Sequence, residues 1–75
     1  MLIKSQDGKV IVNTSTLIDL RRVRKEIYCS VTHDFNETGY IMGVYETDDE
    51  AKAALDKLFD AINEPKYDLG GDKNV

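Results

Sequence analysis

The stretch TDDEAKAALDKLFDAI, from Thr47 to Ile62, decides the fold, because its apolar residues recur at helical spacing. Thr47 and Glu50 fit a reciprocal capping box, and the acids that begin at Asp48 place negative charge at the positive end of the helix dipole. We therefore predict one amphipathic helix. Its apolar stripe comprises Ala51, Ala54, Leu55, Leu58, Phe59 and Ile62.

Upstream, Asp7 and Gly8 stand between two apolar-rich runs in KSQDGKVIV, a pattern that predicts a tight β-hairpin. Leu2 and Ile11 then lie on the face that we expect to be open. The same register pairs four side chains on the face that we assign to the core: Ser5 with Val10, and Ile3 with Val12.

Three further strands are predicted between the hairpin and the helix. After a turn at NTST (13–16), LIDLRRV (17–23) reads as a strand with Ile18 and Leu20 on one side. Arg24 begins a polar break, and HDFNETG (33–39) forms the next turn. The fourth strand alternates Ile27, Cys29 and Val31 with Tyr28, Ser30 and Thr32.

The fifth strand is YIMGVYE (40–46), where the interior Gly43 indicates a bulge or a bulky group that packs across the backbone. The predicted fold class is α+β: an antiparallel meander of four to five strands, followed by one helix packed on one sheet face. We expect a single domain over residues 1–64, with Pro65 stopping the helix shortly after Glu64, and a mobile tail over 65–75.

One helix covers one of two sheet faces, so the other face is predicted to be open. Leu2, Ile11, Tyr28 and one side of the fifth strand would lie there, and such a surface commonly meets another protein or a second copy. A homodimer is one expectation; the alternative is a monomer with some exposed apolar atoms.

The composition is that of a small globular domain whose hydrophobic core alone gives only marginal stability. The 75 residues are 41% hydrophobic and 32% charged, and one cysteine cannot make an internal disulfide, which leaves a partner chain as the stabilising device. The sequence begins without the pattern of a secretory signal, and its apolar runs are much shorter than the roughly 18 residues that a membrane span requires. We therefore predict a cytoplasmic protein with no membrane partner. A net charge of -4 disfavours general nucleic-acid binding.

The only cysteine and the only histidine, Cys29 and His33, are four residues apart and raise the question of a catalytic or metal site. On an extended strand they would lie about 13 Å apart, too far for a thiol and its base to touch. A structural zinc site also recruits four such ligands. We therefore expect Cys29 to be a small buried hydrophobe and His33 to leave the strand at the surface.

Two charged clusters carry the remaining alternatives. The acids of ETDDE (46–50) lack the spacing of a calcium loop, so we assign them to the helix start and predict neither a metal nor another cofactor. The second cluster, Arg21, Arg22, Arg24 and Lys25, could bind phosphates or an acidic partner. The simpler interpretation is a strand end kept soluble, with charge that protects the edge, since Arg21 and Arg22 point to opposite faces.

The opening MLIKSQDGKVIVN and the later GVYETDDEAKAALDKLFDAI resemble a group of small uncharacterised proteins from low-GC Gram-positive bacteria and their phages or prophages. The resemblance covers roughly Met1 to Ile62 and implies a small soluble cytoplasmic protein of unknown function. It supplies no functional residues.

The sequence thus predicts a non-enzymatic accessory protein that acts through an open sheet face or edge. The alternative is a modulator of nucleic-acid machinery, acting through the basic cluster or by acidic mimicry. The predicted interaction patch is Arg21, Arg22, Arg24, Lys25, Leu2, Ile11 and Tyr28.

Overall fold

The computed structural model describes residues 1–31 and 39–69 and confirms the α+β class. Two antiparallel sheets, ordered β1-β2 and β3-β4-β5, replace the single meander that the sequence predicted. The elements of this described part are β1 (Leu2–Lys4), β2 (Ile11–Asn13), β3 (Leu17–Val23), β4 (Glu26–Val31), β5 (Tyr40–Val44) and α1 (Asp48–Ala61).

The N-terminal hairpin has the predicted register. Ile3 pairs with Val12, the Ser5 amide donates to the Val10 carbonyl at 2.8 Å, and Gly8 takes a φ of +75° in the turn. Ile3, Val12 and Ser5 are buried on the core side, whereas Leu2 and Ile11 on the other side are exposed. Both face assignments are therefore confirmed.

Ser5 is a buried polar residue whose hydroxyl is fully used. It donates to Asp7 Oδ1 at 2.7 Å and accepts from the Val10 amide at 3.0 Å, which satisfies the hydrogen bonding that burial demands. The Ser5 hydrogen bond also holds the pKa of the Asp7 carboxyl below its usual range.

A short 3₁₀ turn at Thr14–Thr16 divides the strands into two sheets. The Asn13 side chain accepts from the Ser15 amide at 3.1 Å, and the Thr16 hydroxyl donates to the Asn13 carbonyl at 2.8 Å. Side chains of this type compete with a β ladder for backbone groups, so the chain turns away after β2. The sequence correctly located this turn but did not reveal that β3 joins a new sheet.

Strand β3 contains a bulge that changes which side of the strand Ile18 lies on. Leu17 pairs with Val31 and Asp19 with Ser30, so Ile18 is an extra residue in the ladder. Leu17 and Leu20 both pack against the core, while Ile18 is 66% exposed. The prediction that Ile18 and Leu20 share a side was wrong, because the bulge changes the alternation.

Strand β5 has both features that Gly43 indicated. The ladder with β4 shifts between the Ile27–Gly43 and Tyr28–Ile41 pairs, which makes Met42 the extra residue. A Cβ on Gly43 would lie 2.7 Å from the Tyr45 hydroxyl, so the tyrosine ring does pack across this glycine. Met42 is buried, and Ile41 and Val44 are exposed on the other side.

The core lies between the helix, the hairpin and the inner face of the three-stranded sheet. Its buried centre comprises Ile3, Val12, Ile27, Cys29 and Met42. Ala51 of α1 is fully buried. Ala54, Leu55, Leu58 and the C-cap residue Ile62 pack against the cluster as the predicted stripe requires, and Phe59 is half-buried.

The helix begins as predicted and ends slightly earlier. Thr47 Oγ1 accepts from the Glu50 amide at 3.1 Å, which is one half of the capping box; the reciprocal bond is absent among the described hydrogen bonds. The last helical residue is Ala61, three residues before Glu64. Lys66 then returns its ammonium group to the Phe59 carbonyl and, at 2.9 Å, to the Ile62 carbonyl, where the helix dipole favours a cation.

Candidate interaction surface

The side of the three-stranded sheet that faces away from the core is the candidate surface, here called the outer face. Ile27 and Cys29 of β4 are buried, so their alternating neighbours and the residues paired with them point outward. The outer face comprises Asp19, Arg21, Val23, Glu26, Tyr28, Ser30, Ile41 and Val44.

One end of the outer face is apolar. Val23, Glu26 and Val44 lie in one row across the three strands, and Ile41 lies beside Tyr28 in the next row. Val23, Ile41 and Val44 are 50%, 48% and 54% exposed. These three half-exposed aliphatic side chains, with Glu26 between Val23 and Val44, are here called the apolar corner.

The polar residues of the outer face form a connected network that runs from Asp19 and Ser30 to Glu26 beside the apolar corner. The Arg21 guanidinium contacts Asp19 Oδ1 at 3.0 Å and Ser30 Oγ at 3.0 Å, and its carbon lies 5.4 Å from the centre of the Tyr28 ring. Tyr28 donates its hydroxyl proton to the Glu26 carboxylate, and this bond raises the pKa of Tyr28 above its usual value. The network holds Arg21 and Tyr28 in defined positions.

The predicted basic cluster does not form one surface. Arg21 pairs with Tyr28 on the outer face, whereas Arg22 pairs with the buried Ile27 and so belongs to the opposite side, as strand alternation predicts. Arg24 and Lys25 form the turn between β3 and β4, where Arg24 takes the left-handed φ of +55°. Arg22 donates to the Arg24 carbonyl at 2.8 Å.

Acidic residues follow directly beside this turn. The Tyr45 amide donates to the Lys25 carbonyl at 2.9 Å, so Glu46 and the acidic start of α1 come within the next few residues. Positive and negative groups therefore lie close together in this part of the fold, which weakens any phosphate-binding field that the basic residues create.

The two edges of the three-stranded sheet differ. On β5, the Gln6 amide donates to the Met42 carbonyl at 2.7 Å, and Gln6 Oε1 accepts from the Val44 amide at 2.9 Å. Gln6 thus occupies the outer edge of β5 in place of another strand. Strand β3 pairs only with β4 within the described residues, so its other edge lacks a strand.

Cys29 is fully buried, which confirms the prediction of a small core hydrophobe. His33 lies outside the described residues, as do Thr32 and most of the HDFNETG turn. In the described ranges no three histidine, cysteine, aspartate or glutamate residues come together as a metal site. The acids at the start of α1 are exposed and occupy the first helical turn, as predicted.

Two grooves flank α1. The first, of about 490 Å³, has walls formed by part of β3, the second half of α1 and residues 64–69; the second, of about 710 Å³, lies between the hairpin and α1. Asp7 and Tyr28, whose pKa values are displaced, line neither groove.

The remaining patch residues lie on a separate surface. Leu2 and Ile11 are 69% and 60% exposed on the outer side of the two-stranded sheet, while Tyr28 belongs to the three-stranded one. The single open face expected from the sequence is thus two surfaces. Sequence reasoning did not single out Val23, Val44 or the contacts of Arg21 with Asp19 and Ser30. Asp19 and Val23 stand two residues from Arg21, and Ser30 two residues from Tyr28, so their shared face was a usable signal; Val44 offered none.

In residues 1–31 and 39–69, no helix has the length and apolar character required to cross a membrane. Comparison with known proteins finds no matching family model, curated protein or solved structure.

Proposed function

We propose that this chain is a small non-enzymatic interaction protein that binds another protein chain through the outer face of its three-stranded sheet. The observation that supports it is the apolar corner, where Val23, Ile41 and Val44 stand half-exposed beside an ordered Arg21–Tyr28 pair. We also propose that it acts in the cytoplasm and, from the resemblance stated above, that it is related to phage or prophage proteins.

The composition of the outer face fits recognition of a protein. Arginine and tyrosine are the residue types that most often dominate binding energy at interfaces, and they act best where packing already holds them in place. Arg21 and Tyr28 meet that condition, because both are fixed by hydrogen bonds to Asp19, Ser30 and Glu26 before any partner arrives. Little side-chain ordering is then required on binding.

The experiment is site-specific photo-crosslinking in cells of the native host. A photo-reactive amino acid replaces Ile41 on the outer face or, as the matched control, Lys52 on the exposed side of α1. We expect a discrete crosslinked protein from position 41 alone, and we expect Val44→Glu to abolish it, because a charge then occupies the apolar corner. The same products from both positions, or none from position 41, contradict the proposal.

The second candidate function is modulation of nucleic-acid machinery, either by contact through Arg21, Arg22, Arg24 and Lys25 or by mimicry through the acidic start of α1. Its support is the exposed turn at Arg24 and Lys25. Binding to DNA or RNA that weakens with salt and disappears in Arg21→Glu/Arg22→Glu would support direct contact. An absence of binding at low salt would exclude that version.

A further inference from the structure

Among residues 1–31 and 39–69 no strand pairs with the outer edge of β3, and the backbone groups at this edge can be assigned. The Tyr45 amide bonds the Lys25 carbonyl, so Lys25 directs its backbone groups toward β5 and the next residue, Glu26, directs its own toward β3. Glu26 pairs with Val23, and alternation along β3 then turns Val23, Arg21 and Asp19 toward β4. The amides and carbonyls of Leu20 and Arg22 consequently point to the open edge.

Open space lies beside this edge. Ile18, Asp19 and Leu20 line the groove whose other walls are α1 and residues 64–69, and the segment after the helix is exposed, with Tyr67 76% exposed. Ile18 itself is 66% exposed. An unpaired strand with apolar side chains and free backbone groups is a template for another strand.

We propose that the occupant of this edge is a second copy of the chain, paired antiparallel through Ile18–Arg22 around a two-fold axis at Leu20. Charge complementarity favours this partner and this register. In this register Asp19 of one copy lies opposite Arg21 of the other, and the reverse pair follows by symmetry. This proposal rests on the proposed function, because it identifies one protein partner and assigns a second binding surface, the outer edge of β3, beside the outer face.

The four charges then form an alternating square. Within each copy the Asp19 carboxylate already contacts Arg21 at 3.0 Å, and across the axis each of these groups meets the opposite charge again. Cross-strand neighbours have Cβ atoms about 4.5–5.5 Å apart, so every charge has two opposite neighbours. Exposed pairs contribute little energy, so their main effect is to select the register.

Other registers that keep the two outer faces on the same side of the sheet bring like charges together. Moving the axis from Leu20 to Asp19 sets two aspartates opposite each other, and moving it to Arg21 sets two arginines opposite each other. Like charges directly opposite are destabilising on a sheet. The two Arg22 residues lie opposite Ile18, about 13 Å apart along the strands, where salt screens their repulsion.

The contacts on the inner side are apolar. Leu20 already packs against the core, and the self-pair at the axis brings two Leu20 side chains together, whereas Ile18, which the bulge turns away from the core side, adds no contact there. The bulge at Ile18 ends the regular part of the strand, so regular pairing is confined to the residues from Asp19 to Arg22. The product is a continuous six-stranded sheet whose two apolar corners lie at opposite ends, so the outer face stays open.

The test is sedimentation velocity of the full chain over a concentration series, with two charge-reversal variants. Wild type is expected to double in mass as concentration rises. Asp19→Arg and Arg21→Asp alone place only like charges around the axis, so each is expected to stay monomeric. Mixed together they become complementary again, and the doubled mass is expected to return. Circular dichroism confirms that each variant is folded.

A wild type that keeps the mass of one chain throughout, or a variant that dimerises as the wild type does, overturns the proposal. A second measurement requires no variant: with rising concentration, the Leu20 and Arg22 amides should gain protection from hydrogen exchange, relative to exposed amides in α1. Unchanged exchange in a dimer would place the interface elsewhere and also overturn it. Crosslinking from Ile41 reports on the outer face, so the two proposals fail separately.

Discussion

Gly39 and Gly8 form a matched pair that tests how closely β5 approaches β4. Both have a positive φ, +77° and +75°, a conformation that L-residues adopt at a cost. A Cβ on Gly8 would meet nothing within 4 Å, whereas a Cβ on Gly39 would lie 2.3 Å from the Cys29 carbonyl oxygen. Alanine at the two sites therefore differs mainly in this one clash.

The expected magnitudes follow from the two terms. The left-handed conformation costs an L-residue roughly 1–2 kcal/mol, and the loss of glycine freedom in the unfolded chain returns about 0.4–1 kcal/mol, so Gly8→Ala should cost about 1 kcal/mol. Gly39→Ala adds a displacement of backbone against backbone, and overpacking of this kind costs about 1–3 kcal/mol more. The total of about 3 kcal/mol is a large part of the roughly 4–11 kcal/mol expected for 75 residues.

Urea unfolding followed by circular dichroism measures both variants. With a slope of about 1 kcal/mol per molar urea, Gly39→Ala should lower the midpoint by about 2 M more than Gly8→Ala does. An equal slope in all three proteins keeps the comparison valid. Equal losses of stability in the two variants would refute the close approach of Gly39 to Cys29, and with it the placement of β5.

Three further predictions concern single contacts. Thr47→Ala should lower the free energy of unfolding by about 1 kcal/mol in urea, because the Glu50 amide loses its cap, and an unchanged value would place the helix start elsewhere. The Glu26 bond raises the folded-state pKa of Tyr28 above the unfolded value of 10.0. The stabilisation that this bond provides is therefore fully present below pH 10 and is lost as pH rises through the folded-state pKa. The difference in unfolding free energy between wild type and Tyr28→Phe, measured from pH 8 to 11, should shrink only in the alkaline range, and a constant difference argues against the bond. The buried Cys29 thiol should react with a disulfide reagent only as fast as the native chain opens, and reaction at the rate of a free thiol would contradict its burial.

Local patterns predicted the parts of the fold that local physics determines. The turn at Asp7 and Gly8 set the hairpin register, and the three- and four-residue spacing after Thr47 set the helix and most of its buried stripe. In both cases the backbone preference and the apolar pattern agree within one segment. The alternation of Ile27 and Cys29 with Tyr28 was readable for the same reason.

The errors arose where tertiary contacts override the pattern. The bulge at Ile18 leaves no mark in the sequence, yet it moves Ile18 out of the core side; Gly43 indicated the bulge in β5 but not that Met42 would be buried. Gln6 bonds β5 across 38 positions of chain, which no local rule anticipates. These long-range contacts separate the predicted open face into two surfaces and leave β3 as the edge.

The separation of a covered inner face from an open outer face is most directly tested by NMR with a soluble paramagnetic agent, which broadens methyl signals according to their access to solvent. At low protein concentration, the methyl groups of Val23, Ile41 and Val44 should broaden strongly, and those of Ile3, Val12 and Ile27 should remain sharp. Methyl groups of Ile41 and Val44 as well protected as those of Ile27 would contradict the account.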